Sequence, residues 1–309
     1  MEEEISAQPE LLSNNLELMR QQCRAIDLSA PEAILLVARG SSDNAALYAR
    51  YLFEILLGIP VFLAAPSVLT RYHAEPRYPK CLAIGISQSG AAPDVSEFVS
   101  YMREHGHATV AITNTPGSLL AREASHVIDL NVGAERSVAA TKTYSASLLA
   151  LALICERLGG ERVTLDMLPK ETWMTESRSA AEDALAKIDL LAPIFTLGRG
   201  YSFATAAEAA LKLMECALVP ARAYSSADFQ HGPKALAGPN SVLIGFCPVS
   251  EELRLQGAQV VEAGIPPVPE FIQPLWQIAF AQWLALSAAR LKGLDPDQPQ
   301  FIQKVTETR

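Results

Sequence analysis

The 309-residue chain has no Cys-x-x-Cys pair, no His-Glu-x-x-His motif and no long uninterrupted apolar run. Its five cysteines (Cys23, Cys81, Cys155, Cys216, Cys247) are scattered and odd in number. Four of them lie in apolar stretches, which suits buried free thiols in a reducing cytoplasm better than disulfides or zinc. The five histidines form no cluster with ligand spacing, so no metal is expected, and His105 and His107, flanking a glycine, read as a surface loop. The most apolar late stretch, Trp276 to Ala289, is interrupted by Gln277 and Gln282. It falls short of the ~20 residues a membrane helix needs. The acidic start, Met1-Glu-Glu-Glu-Ile5, lacks the positive charge of a secretory signal. Positive charge is scarce throughout, with 25 Lys and Arg against 34 Asp and Glu and a net charge of −9. That balance disfavours nucleic acid and anionic membranes as partners. Neither glycine turn has G-x-G-x-x-G spacing and no Gly-Lys-Ser/Thr loop is present, so nicotinamide cofactors and nucleotide hydrolysis are disfavoured. These absences predict a soluble cytoplasmic protein with no cofactor and a small-molecule ligand.

Half of the residues are hydrophobic and 19% are charged, enough for a large core, and the length predicts two domains. Set against itself at an offset of 160, the chain repeats. Ile34-Leu-Leu-Val-Ala-Arg39-Gly40-Ser-Ser42 lies over Ile194-Phe-Thr-Leu-Gly-Arg199-Gly200-Tyr-Ser202, and Ile84-Gly85 meets Ile244-Gly245. Each copy reads strand, glycine turn, helix, short strand, apolar strand, which is a βαβ pattern. The fold class that follows is α/β, with two tandem doubly wound, flavodoxin-like domains whose parallel sheets are flanked by helices. Pro169 to Leu191 reads as a helical connector, with Thr172 or Thr175 as caps.

Within the first copy, Ala83-Ile-Gly-Ile86 runs into Ser87-Gln88-Ser89-Gly90. A buried parallel strand reads as a continuous apolar run, and its carboxyl end is where an open α/β sheet binds ligands. Two hydroxyls, an amide and the first-turn N–H groups of the next helix would form an uncharged anion cradle there. An ordinary strand-to-helix turn with a serine cap is the alternative. The second copy has Cys247-Pro248-Val249-Ser250 at the matching place, where Pro248 lacks an N–H, so one cradle per chain is expected.

The second copy also carries Glu208-Ala-Ala-Leu-Lys212-Leu-Met-Glu215 and Tyr224-Ser-Ser-Ala-Asp-Phe-Gln-His231-Gly-Pro233, and the chain closes with Asp297-Gln-Pro299 and Lys304. Together with Ser87-Gln-Ser-Gly90 and Ser137-Val-Ala-Ala-Thr-Lys142, these segments resemble the sugar isomerase (SIS) family over nearly the whole chain. The likeness is to the isomerase half of glucosamine-6-phosphate synthases and to SIS-type glucosamine-6-phosphate deaminases. It implies SIS domains at 31–165 (with the cradle) and 191–295, an N-terminal helical segment at 1–30, a connector at 166–190 and a tail at 296–309. The synthases' glutaminase half is not seen ahead of residue 2, which favours deamination or the use of free ammonia.

Residue by residue, Glu215 matches the family's enolising carboxylate, set among Leu211, Leu213 and Met214. On spacing alone, Glu208, Lys212 and Glu215 would equally form a solvated ladder along one helix face. His231 matches the ring-opening histidine, which in the family can serve the neighbouring subunit, so a homodimer with shared sites is implied. Lys304 matches a lysine that contacts the open sugar or forms a Schiff base with it, and Lys212 is expected to position substrate or Glu215. Ser41, Ser42, Ser87, Gln88 and Ser89 match phosphate and sugar contacts, and Val138 and Ala139 match backbone that lines the sugar site. Ala92 and Ala140 depart from the pattern, standing where synthases have hydroxyls, which leaves the exact sugar open. The expected activity is glucosamine-6-phosphate deamination to fructose 6-phosphate and ammonia. Isomerisation or deamination of another phosphosugar, such as galactosamine 6-phosphate or a fructose-amine phosphate, and non-catalytic phosphosugar sensing are the alternatives.

Overall fold

The computed structural model describes residues 1–26, 30–298, 302 and 304. Along the chain lie α1 (Glu2–Ser6), α2 (Gln8–Arg24), β1 (Ala33–Val37), α3 (Ser41–Leu57), β2 (Val61–Leu63), α4 (Ser67–Thr70), β3 (Cys81–Ile86) and α5 (Pro93–Glu104). They are followed by β4 (Ala108–Thr113), α6 (Leu119–Glu123), β5 (His126–Asp129), α7 (Lys142–Arg157) and α8 (Glu171–Leu185). The second repeat holds β6 (Ile194–Gly198), α9 (Ser202–Ala217), β7 (Ala221–Ser225), α10 (Ser226–Phe229), β8 (Val242–Gly245), α11 (Glu251–Leu255), β9 (Gln259–Glu262) and α12 (Gln273–Leu291).

Two compact units result, neither continuous in sequence. One comprises Glu10–Ala134, Thr143–Leu165 and the segment from Lys304; the other comprises Met1–Pro9, Glu135–Lys142 and Asp166–Gln303. The first is built on a five-stranded sheet of order β2-β1-β3-β4-β5, with every pairing parallel. The second has the order β7-β6-β8-β9, again all parallel. Both orders reverse direction after their first strand, so β1/β3 and β6/β8 are the topological switch points where such folds bind ligands. The doubly wound, twice-repeated α/β architecture is the one the self-alignment predicts.

Strands β1 and β3 are buried at every position, as a sheet covered on both faces requires. In the first unit Leu35, Val37, Ala83 and Ala111 pack with Val95, Phe98, Val99 and Met102 of α5. In the second, Phe195, Leu197 and Leu243 pack with Phe229, Val249 and Leu253. Thr172 and Thr175 lie inside α8 and do not cap it; the cap position is Lys170, whose side chain cannot accept a backbone N–H. No helix among the described residues is long and apolar enough to cross a membrane.

The two glutamines in the apolar run have structural tasks. Gln282, fully buried on α12, donates to the Thr141 carbonyl at 3.3 Å and accepts from Gln8 at 2.7 Å. Gln277 donates to the Phe246 carbonyl at 3.1 Å, just past the end of β8. A buried amide is tolerated where it satisfies backbone groups that helices and sheets leave over.

Candidate functional site

In the first unit the candidate ligand groups sit on the loops after β1 and β3. Gly40, at φ 57°, turns the chain out of β1 into α3. Ser41 and Ser42 therefore occupy the first turn of α3. After β3, Ser87 is buried, while Gln88 and Ser89 are half-buried. The Gly90 N–H donates to Ser87 Oγ at 3.1 Å, and Ala91 N–H to Ser89 Oγ at 3.3 Å. Thr113 Oγ1 and the Asn114 N–H both donate to the Gln88 carbonyl, and Leu120 N–H to the Gly90 carbonyl, which fixes the loop against β4 and α6. Gly90 lies at φ 60°, and a Cβ on it would stand 2.0 Å from Ser118 Oγ, so only glycine fits.

The expected row of helix N–H donors is largely missing. Helix α5 begins at Pro93, which has no N–H, and the Val95 N–H is taken by Asp94 Oδ1 at 2.9 Å. Ala92 is the N-cap residue, extended at φ −65° and ψ 113°, with no side chain able to cap. The candidate donors here are therefore the side chains of Ser41, Ser42, Ser87, Gln88 and Ser89 and the loop backbone. In the second repeat the matching loop is filled from within, since Glu262 Oε1 accepts the Val249 N–H at 2.7 Å.

In the second unit, α9 presents Glu208, Lys212 and Glu215 on one face. Lys212 Nζ lies 3.2 Å from Glu208 Oε1 and 2.5 Å from Glu215 Oε2. The side chains of Glu208 and Lys212 are fully buried, and that of Glu215 is 25% exposed. This is not a solvated ladder. Burial works against the Lys212 ammonium, but the two carboxylates outweigh it and hold the amine above its ordinary pKa. Glu215 is partly buried, next to the buried Leu213 and the exposed Met214, and its hydrogen-bond partner is the lysine. Lys212 thus fixes Oε2 of Glu215. A cavity of about 150 Å³ opens beside this carboxylate, lined also by Cys216, Leu218, Leu294, Asp295 and Gln298.

The loop with Val138 and Ala139 belongs to the same unit. Val138 and Ala140 are half-buried and Ala139 is buried. Glu135 Oε1 accepts both the N–H and the hydroxyl of Thr141, at 3.0 and 3.2 Å, and Glu4 accepts the N–H groups of Arg136 and Ser137. Glu4 and Glu135 are supporting residues that the sequence does not flag: Glu4 meets backbone N–H groups far along the chain, and Glu135 meets nearby Thr141 within an irregular loop. His231 stands exposed between α10 and Pro233, and its ring makes no hydrogen bond among the described residues. Lys304 is half-buried in a bend and groups with the unit that carries the cradle. Pro299, of the Asp297-Gln298-Pro299 segment, lies outside the described residues.

Two parallel sheets, hydroxyl side chains at the switch point of one, and a half-buried carboxylate beside a buried lysine in the other unit define a double-domain α/β protein. The chain belongs to the SIS family: the SIS domain model matches residues 27–157 and 192–269. It is 32% identical to a glutamine–fructose-6-phosphate aminotransferase (isomerizing) from Methanothermobacter thermautotrophicus, over 90% of this chain and 52% of that protein. The chain spans about half the length of the first curated relatives it matches. Among solved structures it is similar to glucosamine-6-phosphate deaminase from Thermotoga maritima, with TM-score 0.84 and 26% identity over 99% of both chains. It is also similar to the C-terminal domain of glucosamine-fructose-6-phosphate aminotransferase from Francisella tularensis, with TM-score 0.78 and 25% identity over 96% of this chain and 97% of that one.

Proposed function

We propose that the protein is a phosphosugar deaminase that converts glucosamine 6-phosphate and water to fructose 6-phosphate and ammonia. The observation that carries this is the Glu208–Lys212–Glu215 cluster, in which a buried ammonium holds one oxygen of a carboxylate that opens on a cavity. The full-length similarity to a glucosamine-6-phosphate deaminase supports the choice of substrate. In the first unit, Ser41, Ser42, Ser87, Gln88 and Ser89 bind the phosphate. His231, an imidazole able to give and take a proton near neutral pH, takes the C1 hydroxyl proton and returns one to the ring oxygen, opening the pyranose.

Glu215 then removes the C2 proton of the open aldehyde and delivers it to C1. The amine gives up one proton and O1 gains one, so the C2–N bond becomes an imine as the C1 carbonyl becomes a hydroxyl. Water adds to C2, and ammonia leaves with the C2–N electron pair, giving the ketose. The substrate's own carbonyl is the electron sink. Lys212 positions Glu215, Lys304 serves the oxygens of the open chain, and the backbone at Val138 and Ala139 lines the sugar. Two chains sharing sites through His231 complete the reading. Ammonia release from glucosamine 6-phosphate tests it: Glu215→Gln is expected to lower kcat by about 10²- to 10⁴-fold. Equal ammonia release by the variant and the unmodified chain would refute the role of Glu215. The missing hydroxyls at Ala92 and Ala140 favour one second reading, the same chemistry on another 6-phosphosugar, which a panel of hexosamine and ketose phosphates separates.

A further inference from the structure

The hydroxyls of the cradle carry no charge, several of its backbone donors are spent, and a buried carboxylate lies next to it. Asp94, in the first turn of α5 and only 1% exposed, stands four residues beyond Gly90. Alone it would repel a phosphate dianion and leave a buried charge uncompensated. Arg39 answers it: Nε donates to Asp94 Oδ2 at 2.8 Å, and Nη2 pairs with the same oxygen at 2.7 Å. Arg39 follows β1 by two residues and precedes the Gly40 turn into Ser41 and Ser42, so its ion pair joins the loops after β1 and β3 at the switch point. The pair occupies one edge of the guanidinium. Nη1 has no hydrogen-bond partner among the described residues, and the side chain remains 49% exposed. Arginine's planar fork can serve a carboxylate on one edge and a phosphoryl oxygen on another.

We propose that Arg39 is the charged member of the phosphate cradle, held by Asp94 on one edge and binding the phosphoryl group with the other. This rests on the phosphosugar reading above. The second repeat supplies a contrast: Arg199 occupies the same repeat position, but there its Nη1 reaches Ser225 Oγ at 3.4 Å and the adjoining loop N–H is filled by Glu262.

The test must separate a phosphate ligand from an ion pair that only clamps two loops. Sorbitol 6-phosphate, which has no carbonyl and cannot be turned over, is titrated calorimetrically into the unmodified chain, with sorbitol as the unphosphorylated control. The same titrations are run on Arg39→Gln, Arg39→Lys, Asp94→Asn and Arg39→Gln/Asp94→Asn. Loss of a charge-assisted contact is expected to weaken sorbitol 6-phosphate binding by about 10- to 100-fold in Arg39→Gln. The double variant, which restores a neutral hydrogen-bonded clamp, is expected to stay equally weak. Asp94→Asn, with its negative charge removed, is expected to bind at least as tightly as the unmodified chain, and Arg39→Lys to fall between.

Should Arg39→Gln fail to fold, the double variant and Arg39→Lys carry the comparison. Binding by Arg39→Gln within threefold of the unmodified chain overturns the proposal. So does recovery in the double variant, or a loss in Asp94→Asn equal to that in Arg39→Gln. Ammonia assays on the same preparations keep the two readings apart. Arg39-dependent binding without ammonia release would refute the deaminase and leave Arg39 in place. Ammonia release with a KM for glucosamine 6-phosphate indifferent to Arg39 would do the reverse.

Discussion

Replacing Lys212 by methionine keeps the length and volume of the side chain and removes its charge, which isolates what the buried ammonium does. At 3.2 Å from Glu208, with both side chains fully buried, the pair's mutual attraction is about 5 kcal/mol at an effective dielectric of about 20. Most of that offsets the desolvation of the two ions, so the pair adds little net stability while it is whole. Once the lysine is gone, Glu208 must be buried charged or take up a proton. Protonation is the cheaper course. Holding a proton on a carboxyl of ordinary pKa about 4.3 costs about 1.4 kcal/mol for each pH unit above that value, or roughly 3.7 kcal/mol at pH 7.

The sign follows. In the variant the folded chain keeps a proton that the unfolded chain loses, so the stability deficit grows as pH rises. In the unmodified protein the Lys212 pKa is raised, so its contribution is fully present below about 10.5 and is lost only as pH climbs through the folded value. Urea unfolding at pH 5.5, 7 and 8 should therefore show a Lys212→Met deficit of about 1.6, 3.7 and 5 kcal/mol. Lys212→Met/Glu208→Gln should remove most of the slope. A deficit that is flat across these pH values, or below about 1 kcal/mol at pH 8, would show that no carboxylate depends on Lys212.

Two further outcomes are expected. Ala92→Thr places a hydroxyl at the extended N-cap of α5; it should stabilise the chain by about 1 kcal/mol in urea unfolding and lower the KM for the phosphosugar. No change in either quantity would show that the cap position does not reach the cradle. Burial pushes the thiols of Cys23, Cys155 and Cys216 up to about 12 and raises those of Cys81 and Cys247 as well. At pH 8 a disulfide reagent should therefore label at most the half-buried Cys247 in the native chain and all five cysteines in guanidinium. Rapid labelling of two or more native thiols would contradict the burial.

Features carried by short-range order are legible in the sequence, and those created by distant partners are not. The repeat and the all-apolar strands predict two parallel sheets, because a strand covered on both faces must be apolar at every position. The Glu208, Lys212, Glu215 spacing predicts a shared helix face, but a solvated ladder has the same spacing, so burial is what separates them. Pro93 directly after Ala92 marks a helix start at N1, and with it the loss of a backbone donor from the cradle. The Arg39–Asp94 pair had no such signal, since its members are 55 residues apart and meet only once β1 and β3 are neighbours in the sheet.

The same holds for Gln277 and Gln282, which read as flaws in an apolar helix and prove to hold the Phe246 and Thr141 carbonyls. A polar group inside an otherwise apolar helix implies a buried partner even when the sequence cannot name it. In this chain Gln282, which looks like an interruption of α12, holds the loop with Val138 and Ala139, and Arg39 ties the turn after β1 to the start of α5. The hydroxyl motif is uncharged, and under the proposal above the half-exposed Arg39 guanidinium is the positive charge that a phosphate dianion requires.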